Sequence, residues 1–171
     1  QPKKYTKPKP TVRPTSFISL EALEKSFAAH SETTFVKWLF GLFGKEITVG
    51  LIEKYLIGTS KQWQGATVFW QIDISGNVRT GKIMLYSPDT GKRYKDKFQW
   101  AHTLLKIENF NLKQCFFGEH LLQDETKSVA IFESEKTAAI ASVYFPELIC
   151  IACGGLQGLS AEKCKVLQGR K

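Results

Sequence analysis

The chain has 171 residues, enough for one domain of ordinary size or two small ones. Apolar residues make up 43% and charged residues 23%, a balance that supports a buried core and excludes disorder of the whole chain. Lys and Arg outnumber Asp and Glu by 24 to 16, giving a net charge of +8. Such a surplus favours polyanionic partners because it raises the local concentration of phosphates, although many basic proteins bind nothing acidic.

The cysteines do not form a zinc-finger pattern. Cys150 and Cys153 form a C-x-x-C pair, but the apolar run around them predicts a strand, on which residues three apart point to opposite faces. No second pair and no histidine at finger spacing accompanies them, so we expect buried thiols, no zinc in this chain and a reducing cytoplasm. No signal-peptide pattern or membrane-spanning apolar run is recognisable, so we expect no membrane partner.

The first sixteen residues have the composition of a linker. Residues 1–16 contain four of the six prolines and five Lys or Arg residues. A segment of this kind is extended and repels itself, so it cannot form a core. Because it starts at Gln1, we expect an excised piece with another domain upstream.

Helical and then antiparallel elements are predicted from residue 17 to residue 125. Ser19 is a candidate N-cap for a first helix. Apolar spacing predicts further helices over about 32–42 and about 47–55. Two strand-like segments, 66–73 and 78–86, flank a turn and predict a small antiparallel meander.

Basic and aromatic residues alternate at the end of this meander. The basic residues are Lys92, Arg93, Lys95 and Lys97, interleaved with Tyr94 and Phe98. Bases stack on aromatic rings while lysines neutralise phosphates, so this segment is a candidate contact surface for single-stranded DNA or RNA. A solvated edge strand protected by lysines has the same pattern, and both interpretations stay open.

Residues 126–171 predict an α/β unit. A strand over 128–132 is followed by a helix to about residue 144, a strand over 148–152, a glycine-containing loop, and a helix capped by Ser160. Such short connections imply parallel strands with a right-handed crossover. The whole chain is thus expected to be α+β, with N-terminal helices and an antiparallel meander followed by a β-α-β-α unit.

Glu133 is the candidate catalytic residue because it directly follows the first strand of this unit. Ligands of parallel sheets bind beyond the carboxyl ends of the strands, where a carboxylate suits Mg²⁺ or acts as a base. Gly154, Gly155 and Gly158 border the neighbouring strand end and would let a phosphate approach closely. Helix N-capping, or a favourable interaction with the helix dipole, is the alternative role for Glu133.

The segment 129–138, with its strand, its Glu133 and its following helix, resembles the first motif of the Toprim family of primases, topoisomerases and nucleases. The loop 153–158 resembles the glycine-containing turn after the second Toprim strand. Further upstream, 50–58, 67–73, Tyr94 and 116–118 look like steps of the bacterial primase catalytic core, so the resemblance covers about 47–167. A mobile-element-associated, primase-like group with an upstream zinc ribbon is also suspected.

The resemblance implies a DNA primase-like protein of DNA replication with Mg²⁺-dependent phosphodiester chemistry and nucleotides as partners. Glu133 would be the base or a metal ligand. The residues that would hold nucleic acid are Lys82, Lys92, Arg93, Lys95, Lys97 and Lys136. Lys136 has a plain helix-surface role as its alternative.

Two departures from the Toprim pattern bear on activity. Ser134 stands where the family usually has Gly, and Thr137 where it often has Asp. The paired aspartates that would complete the Mg²⁺ site are expected beyond residue 171, so we expect this piece alone to be inactive. The alternatives are a non-catalytic nucleic-acid-binding module of plasmid mobilisation or replication with a degenerate Toprim domain, a Toprim nuclease, and a protein-interaction domain.

Overall fold

The computed structural model describes residues 13–29 and 32–171. The helices of the described chain are α1 (Leu20–Lys25), α2 (Thr34–Tyr55), α3 (Ala101–Leu104), α4 (Glu135–Tyr144) and α5 (Ala161–Cys164). The strands are β1 (Gly58–Ser60), β2 (Ala66–Ile72), β3 (Val78–Tyr86), β4 (Arg93–Trp100), β5 (Val129–Phe132) and β6 (Ile149–Ala152). Short 3-10 helices span Glu119–Gln123 and Lys165–Leu167.

The strands form two sheets, which confirms the mixed α+β class. An antiparallel sheet has the order β1-β2-β3-β4, and a second sheet pairs β5 with β6 in parallel. The predicted meander corresponds to β2 and β3, which pair with Val68 opposite Ile83. The predicted β-α-β-α order corresponds to β5, α4, β6 and α5.

Both faces of the antiparallel sheet are covered, because apolar side chains of β2 and β3 alternate between two cores. On one face, Val68 and Ile83 pack with Leu23 of α1 and Ala101 of α3. On the other, Phe69 and Met84 join a cluster that includes residues of α2, α4 and β6.

Tyr55 of α2 joins this cluster to the parallel unit. Its ring stacks on Phe117 with centroids 5.0 Å apart, and its hydroxyl donates to the carbonyl of Cys150 at 2.9 Å. Phe117 in turn exchanges two backbone hydrogen bonds of 3.0 Å with Ala152, on the edge of β6 away from β5. One continuous core therefore fixes the end of β6 against the antiparallel sheet.

The two helices predicted over 32–42 and 47–55 correspond to the two halves of α2, which is broken at Gly44, where φ is 75° and ψ is 178°. The strand β1 was not predicted at all; it extends the sheet after Leu56, which ends α2 with a φ of 51°. A left-handed residue at the end of a helix is usually glycine. Because leucine occupies position 56, the sequence did not indicate the turn from α2 into β1 at this residue.

The proposed division into 1–16, 17–125 and 126–171 stays a prediction. Residues 1–12 of the expected linker lie outside the described residues. The described part of this segment is bound to the rest of the chain, because the Asn111 side chain donates to the carbonyls of Arg13 and Pro14, both at 3.0 Å. In the described ranges, no helix combines the length and the apolar character needed to cross a bilayer.

Candidate functional site

Glu133 lies where the sequence analysis expected it, at the carboxyl end of β5. The parallel ladder continues one step past the strands, because the amide of Gly154 donates to the Glu133 carbonyl at 2.9 Å. The Glu133 side chain is exposed, and its carboxylate has no hydrogen-bond or ion-pair partner among the described residues. This carboxylate is therefore available to a ligand.

A hollow of about 240 Å³ opens beside Glu133, and we call it the glycine hollow. Its lining brings together residues from β3, β4, α4 and the loop after β6: Lys82, Met84, Tyr86, Arg93, Glu133, Ser134, Glu135, Lys136, Gly154 and Gly155. Three of these side chains are basic and two are acidic. The antiparallel sheet and the parallel unit thus each supply a wall of the same site.

A buried ion pair forms the floor of the glycine hollow. The ammonium of Lys82 lies 2.8 Å from Oε1 of Glu135, and the two side chains are 8% and 3% exposed. This oxygen has no partner in hydrogen-bond geometry, so the contact is electrostatic. Lys82 also donates to the carbonyl of Gly154. Lys82 was expected to hold nucleic acid, but its ammonium is committed to these two partners.

The loop after β6 is held by two lysines. Lys82 from β3 binds the Gly154 carbonyl, and Lys163 from α5 donates to the preceding carbonyl, that of Cys153, at 3.0 Å. Burial lowers the pKa of Lys163. Two ammonium groups thus fasten consecutive carbonyls at the carboxyl end of β6.

The predicted glycine loop has a steric reason at two of its three positions. Gly154 has a φ of 87°, and a Cβ there would lie 2.9 Å from the Lys82 ammonium. A Cβ at Gly158 would lie only 2.1 Å from the Cys153 carbonyl oxygen, a distance that no side chain tolerates. Gly155 meets open space, although its φ of 142° disfavours other residues. Because Gly154 and Gly155 carry no side chain, this part of the lining leaves the hollow open.

Lys136 lines the glycine hollow but is also bound within the chain. Its ammonium donates to the Gly91 carbonyl at 2.8 Å and lies 5.2 Å from the ring centroid of Trp38 and 5.8 Å from that of Tyr86. Burial lowers the pKa of Lys136. Burial and the nearby Glu135 raise the pKa of Tyr86, so its hydroxyl stays protonated at neutral pH.

The basic segment predicted after the meander forms the edge strand β4. Arg93 is exposed and lines the glycine hollow, whereas Lys92 and Lys95 are exposed outside it. Lys97 lies 3.4 Å from Asp96 and 5.8 Å from the ring centroid of Trp63. Of these four residues, only Arg93 reaches Glu133's hollow.

The two departures from the Toprim pattern have a local explanation. Ser134 is the N-cap of α4, because its hydroxyl accepts from the amide of Thr137 at 3.2 Å. The two hydroxyls also share a hydrogen bond of 2.7 Å. Ser134 rather than Glu133 therefore caps the helix, so the capping role considered for Glu133 is wrong, whereas an interaction with the helix dipole stays open.

The sequence analysis assigned no role to Glu135, Tyr86 or Lys163. A signal existed for Lys82, which directly precedes the apolar residues 83–86 of β3, and Glu135 is buried in the first turn of α4. Nothing in the local pattern identifies which acid pairs with which base, because Lys82 lies on a strand of the antiparallel sheet and Glu135 on the helix of the parallel unit.

The donor set for a metal is sparse. Among residues 13–29 and 32–171, no group of three or more His, Cys, Asp or Glu side chains is placed to hold an ion. All four cysteines are free thiols. In the glycine hollow, Glu133 supplies the one carboxylate that is not ion-paired, whereas Mg²⁺ prefers one or two carboxylates supplemented by water and substrate phosphates.

Comparison with known proteins gives one match. A family model described as "Domain of unknown function (DUF6371)" matches residues 33–171, which include both sheets and the whole glycine hollow. Searches of curated proteins and of solved structures found no match.

Proposed function

The chain belongs to the DUF6371 family, and from the geometry of the glycine hollow we propose a nucleic-acid-processing protein of the primase-like Toprim kind. In this proposal, the glycine hollow receives the phosphates of a nucleotide or polynucleotide. Glu133 serves Mg²⁺-dependent phosphodiester chemistry there.

One observation carries the proposal: Glu133 is exposed and unpaired at the carboxyl end of a parallel strand, inside a hollow whose other uncommitted charged side chain, Arg93, is basic. Ligands of parallel sheets bind at this edge. The net charge of +8 supports a polyanionic ligand.

The contacts of each residue in the glycine hollow indicate its proposed role. Arg93 is exposed and is the proposed phosphate contact, since a guanidinium binds phosphate in a bidentate manner. Lys82 is held by Glu135, so the pair is a fixed part of the floor of the hollow rather than a mobile phosphate contact. The low loop at Gly154 and Gly155 leaves room for a phosphate to approach.

Mg²⁺ fits this set only as a weakly held, substrate-dependent ion. Glu133 would be one ligand, with the remainder coming from water, substrate phosphates or further carboxylates. When bound, the ion would neutralise negative charge that develops on the phosphoryl group. Glu133 itself would either ligate the ion or accept a proton from the attacking hydroxyl.

A non-catalytic nucleic-acid-binding module is the second candidate. It is favoured by the commitment of Lys82, Glu135 and Lys136 to contacts within the chain, which leaves few mobile groups for chemistry. For either candidate we propose a cytoplasmic location, since the four free thiols suit a reducing compartment.

The test replaces Glu133 by Gln in the full-length protein and measures Mg²⁺-dependent nucleotide incorporation and strand cleavage. We expect a loss of at least about 100-fold, the scale of one general acid–base group. Glu147→Gln is the matched control, because Glu147 is an exposed carboxylate that precedes β6 at the opposite end of the sheet.

Two outcomes contradict parts of the proposal. Activity that survives in the Glu133→Gln variant means that Glu133 is not catalytic. Salt-dependent binding of polynucleotide without activity in the wild type selects the binding module instead.

A further inference from the structure

Four aromatic side chains form a continuous row beside the glycine hollow. Phe98, Trp100, His102 and Phe110 make up this aromatic row, with successive ring centroids 5.3, 6.0 and 4.9 Å apart. His102 and Phe110 are stacked at an interplanar angle of 11°. The sequence analysis assigned no role to the last three residues.

The aromatic row follows from strand geometry. Phe98 and Trp100 lie two apart on β4, and residues two apart on a strand project from the same face. They pair with Met84 and Lys82, so they extend the sheet face that borders the glycine hollow. The hydroxyl of Thr80 lies 2.8 Å from Nδ1 of His102, which fixes the orientation of that ring.

The rings of the aromatic row are accessible. Phe98 is 41% exposed, and the other three are partly exposed. Phe110 also packs against the core beside α1 and α3, whereas Phe98 and Trp100 are not part of that core. Burial lowers the pKa of His102, so the imidazole is neutral at pH 7 and can stack without desolvating a charge.

The aromatic row leads to the proposed catalytic carboxylate. The Lys82 ammonium lies 5.7 Å from the ring centroid of Trp100 and also binds Glu135 and Gly154 on the floor of the glycine hollow. Exposed cations lie just before the row and between its last two members in the chain, at Lys95 and Lys106. A ligand on the row therefore meets aromatic rings, positive charge and, at one end, the hollow.

We infer that the aromatic row is a base-stacking track for a single-stranded polynucleotide, whose bases lie on Phe98 and Trp100 while its backbone approaches the glycine hollow. This inference rests on the proposed function and adds to it the site that selects single strands. In a duplex the bases are stacked on each other, so their faces are not free for these rings. Stacking is indifferent to base identity, so the track is expected to accept any sequence.

The test measures binding of fluorescein-labelled probes to the full-length protein by anisotropy. The probes are oligothymidylate, oligouridylate, an abasic oligomer of the same length and a duplex. The variants are Phe98→Leu and Trp100→Leu, which keep an apolar side chain and remove the ring. Tyr144→Leu is the control, since Tyr144 is 66% exposed and sits at the end of α4 away from Ser134.

We expect each row variant to bind both single-stranded probes roughly tenfold more weakly, as for the loss of one base–ring stack. Its affinity for the abasic oligomer should equal that of the wild type, and Tyr144→Leu should change neither. The exposed position of Phe98 makes its variant informative even if Trp100→Leu fails to fold. Equal affinity for the two single-stranded probes identifies stacking without a sugar contact.

The failure of this inference differs from the failure of the proposed function. If the wild type binds the abasic oligomer as tightly as oligothymidylate, or if Phe98→Leu binds like the wild type, the stacking track is wrong although phosphate binding stands. If no probe binds even at low salt, the proposed nucleic-acid function is wrong, and the track is wrong with it.

Discussion

The two sheets of this protein differ in how completely they are covered. Every residue of β2 in the antiparallel sheet is buried, whereas each residue of β5 in the parallel unit keeps some exposure, up to 42% at Ile131. The first sheet is packed on both faces, and the second consists of two strands with α4 against it. The candidate site lies between the well-covered antiparallel sheet and the more exposed parallel unit. Residues of the antiparallel sheet therefore face the accessible end of β5.

This contrast predicts unequal costs for losing an apolar side chain. Phe69 is fully buried and touches Phe35 and Phe117, with ring centroids 5.3 and 5.5 Å away. We expect Phe69→Ala to lower the free energy of unfolding by about 4 kcal/mol and Ile131→Ala by less than about 1 kcal/mol, as measured by urea denaturation. Similar losses for the two variants would contradict the difference in packing.

The contact of Lys82 with Glu135 joins the antiparallel sheet to the parallel unit, and we call it the joint. Its loss is expected to destabilise the fold nearly as much as the loss of the Phe69 ring. Lys82→Met leaves the Glu135 carboxylate buried without its partner, which should cost about 3 kcal/mol of unfolding free energy. The double variant Lys82→Met, Glu135→Leu should recover most of that loss, because an apolar pair needs no desolvated charge. Urea denaturation of the three proteins measures both effects. A double variant as unstable as the single one would mean that the pair stabilises the joint in its own right.

A smaller effect is expected at Asp73, in the turn between β2 and β3 and away from the joint. Burial raises the pKa of its carboxyl, but hydrogen bonds from the amide of Asn77 and from Arg79, at 2.9 and 2.6 Å, outweigh this and hold the pKa below its ordinary value. A carboxyl with a lowered folded-state pKa stabilises the fold above its unfolded-state pKa of about 3.9. That stability is lost as the pH falls through the folded-state value.

Asp73→Asn should therefore cost about 1–2 kcal/mol at neutral pH, and the difference from the wild type should shrink as the pH falls below about 4. Thermal or urea unfolding at a series of pH values measures this. A difference that stays constant down to acid pH would show that the charge of Asp73 does not contribute.

Local sequence signals predicted the elements whose causes are local. The limits of β3 coincide with the predicted 78–86, and Ser19 and Ser160 accept hydrogen bonds from Ala22 and Lys163 as helix N-caps. The parallel pairing of β5 with β6 followed from their short helical connection. Alternation, capping and connection length each act within a few residues or between neighbouring elements.

The features that were missed depend on distant contacts. The pairing of Lys82 with Glu135 joins β3 to α4. Glu133 could be located from its strand end, but the basic residue that shares its hollow could not.

The buried contact between Lys82 and Glu135 also limits how this protein can drift over generations. A change at either position alone leaves an uncompensated charge in the interior, so most single replacements there are disfavoured. Although Lys82 and Glu135 are far apart along the chain, we expect substitutions at the two positions to occur together in related sequences. Glu133 carries no such tie, and any constraint on it must come from what it binds.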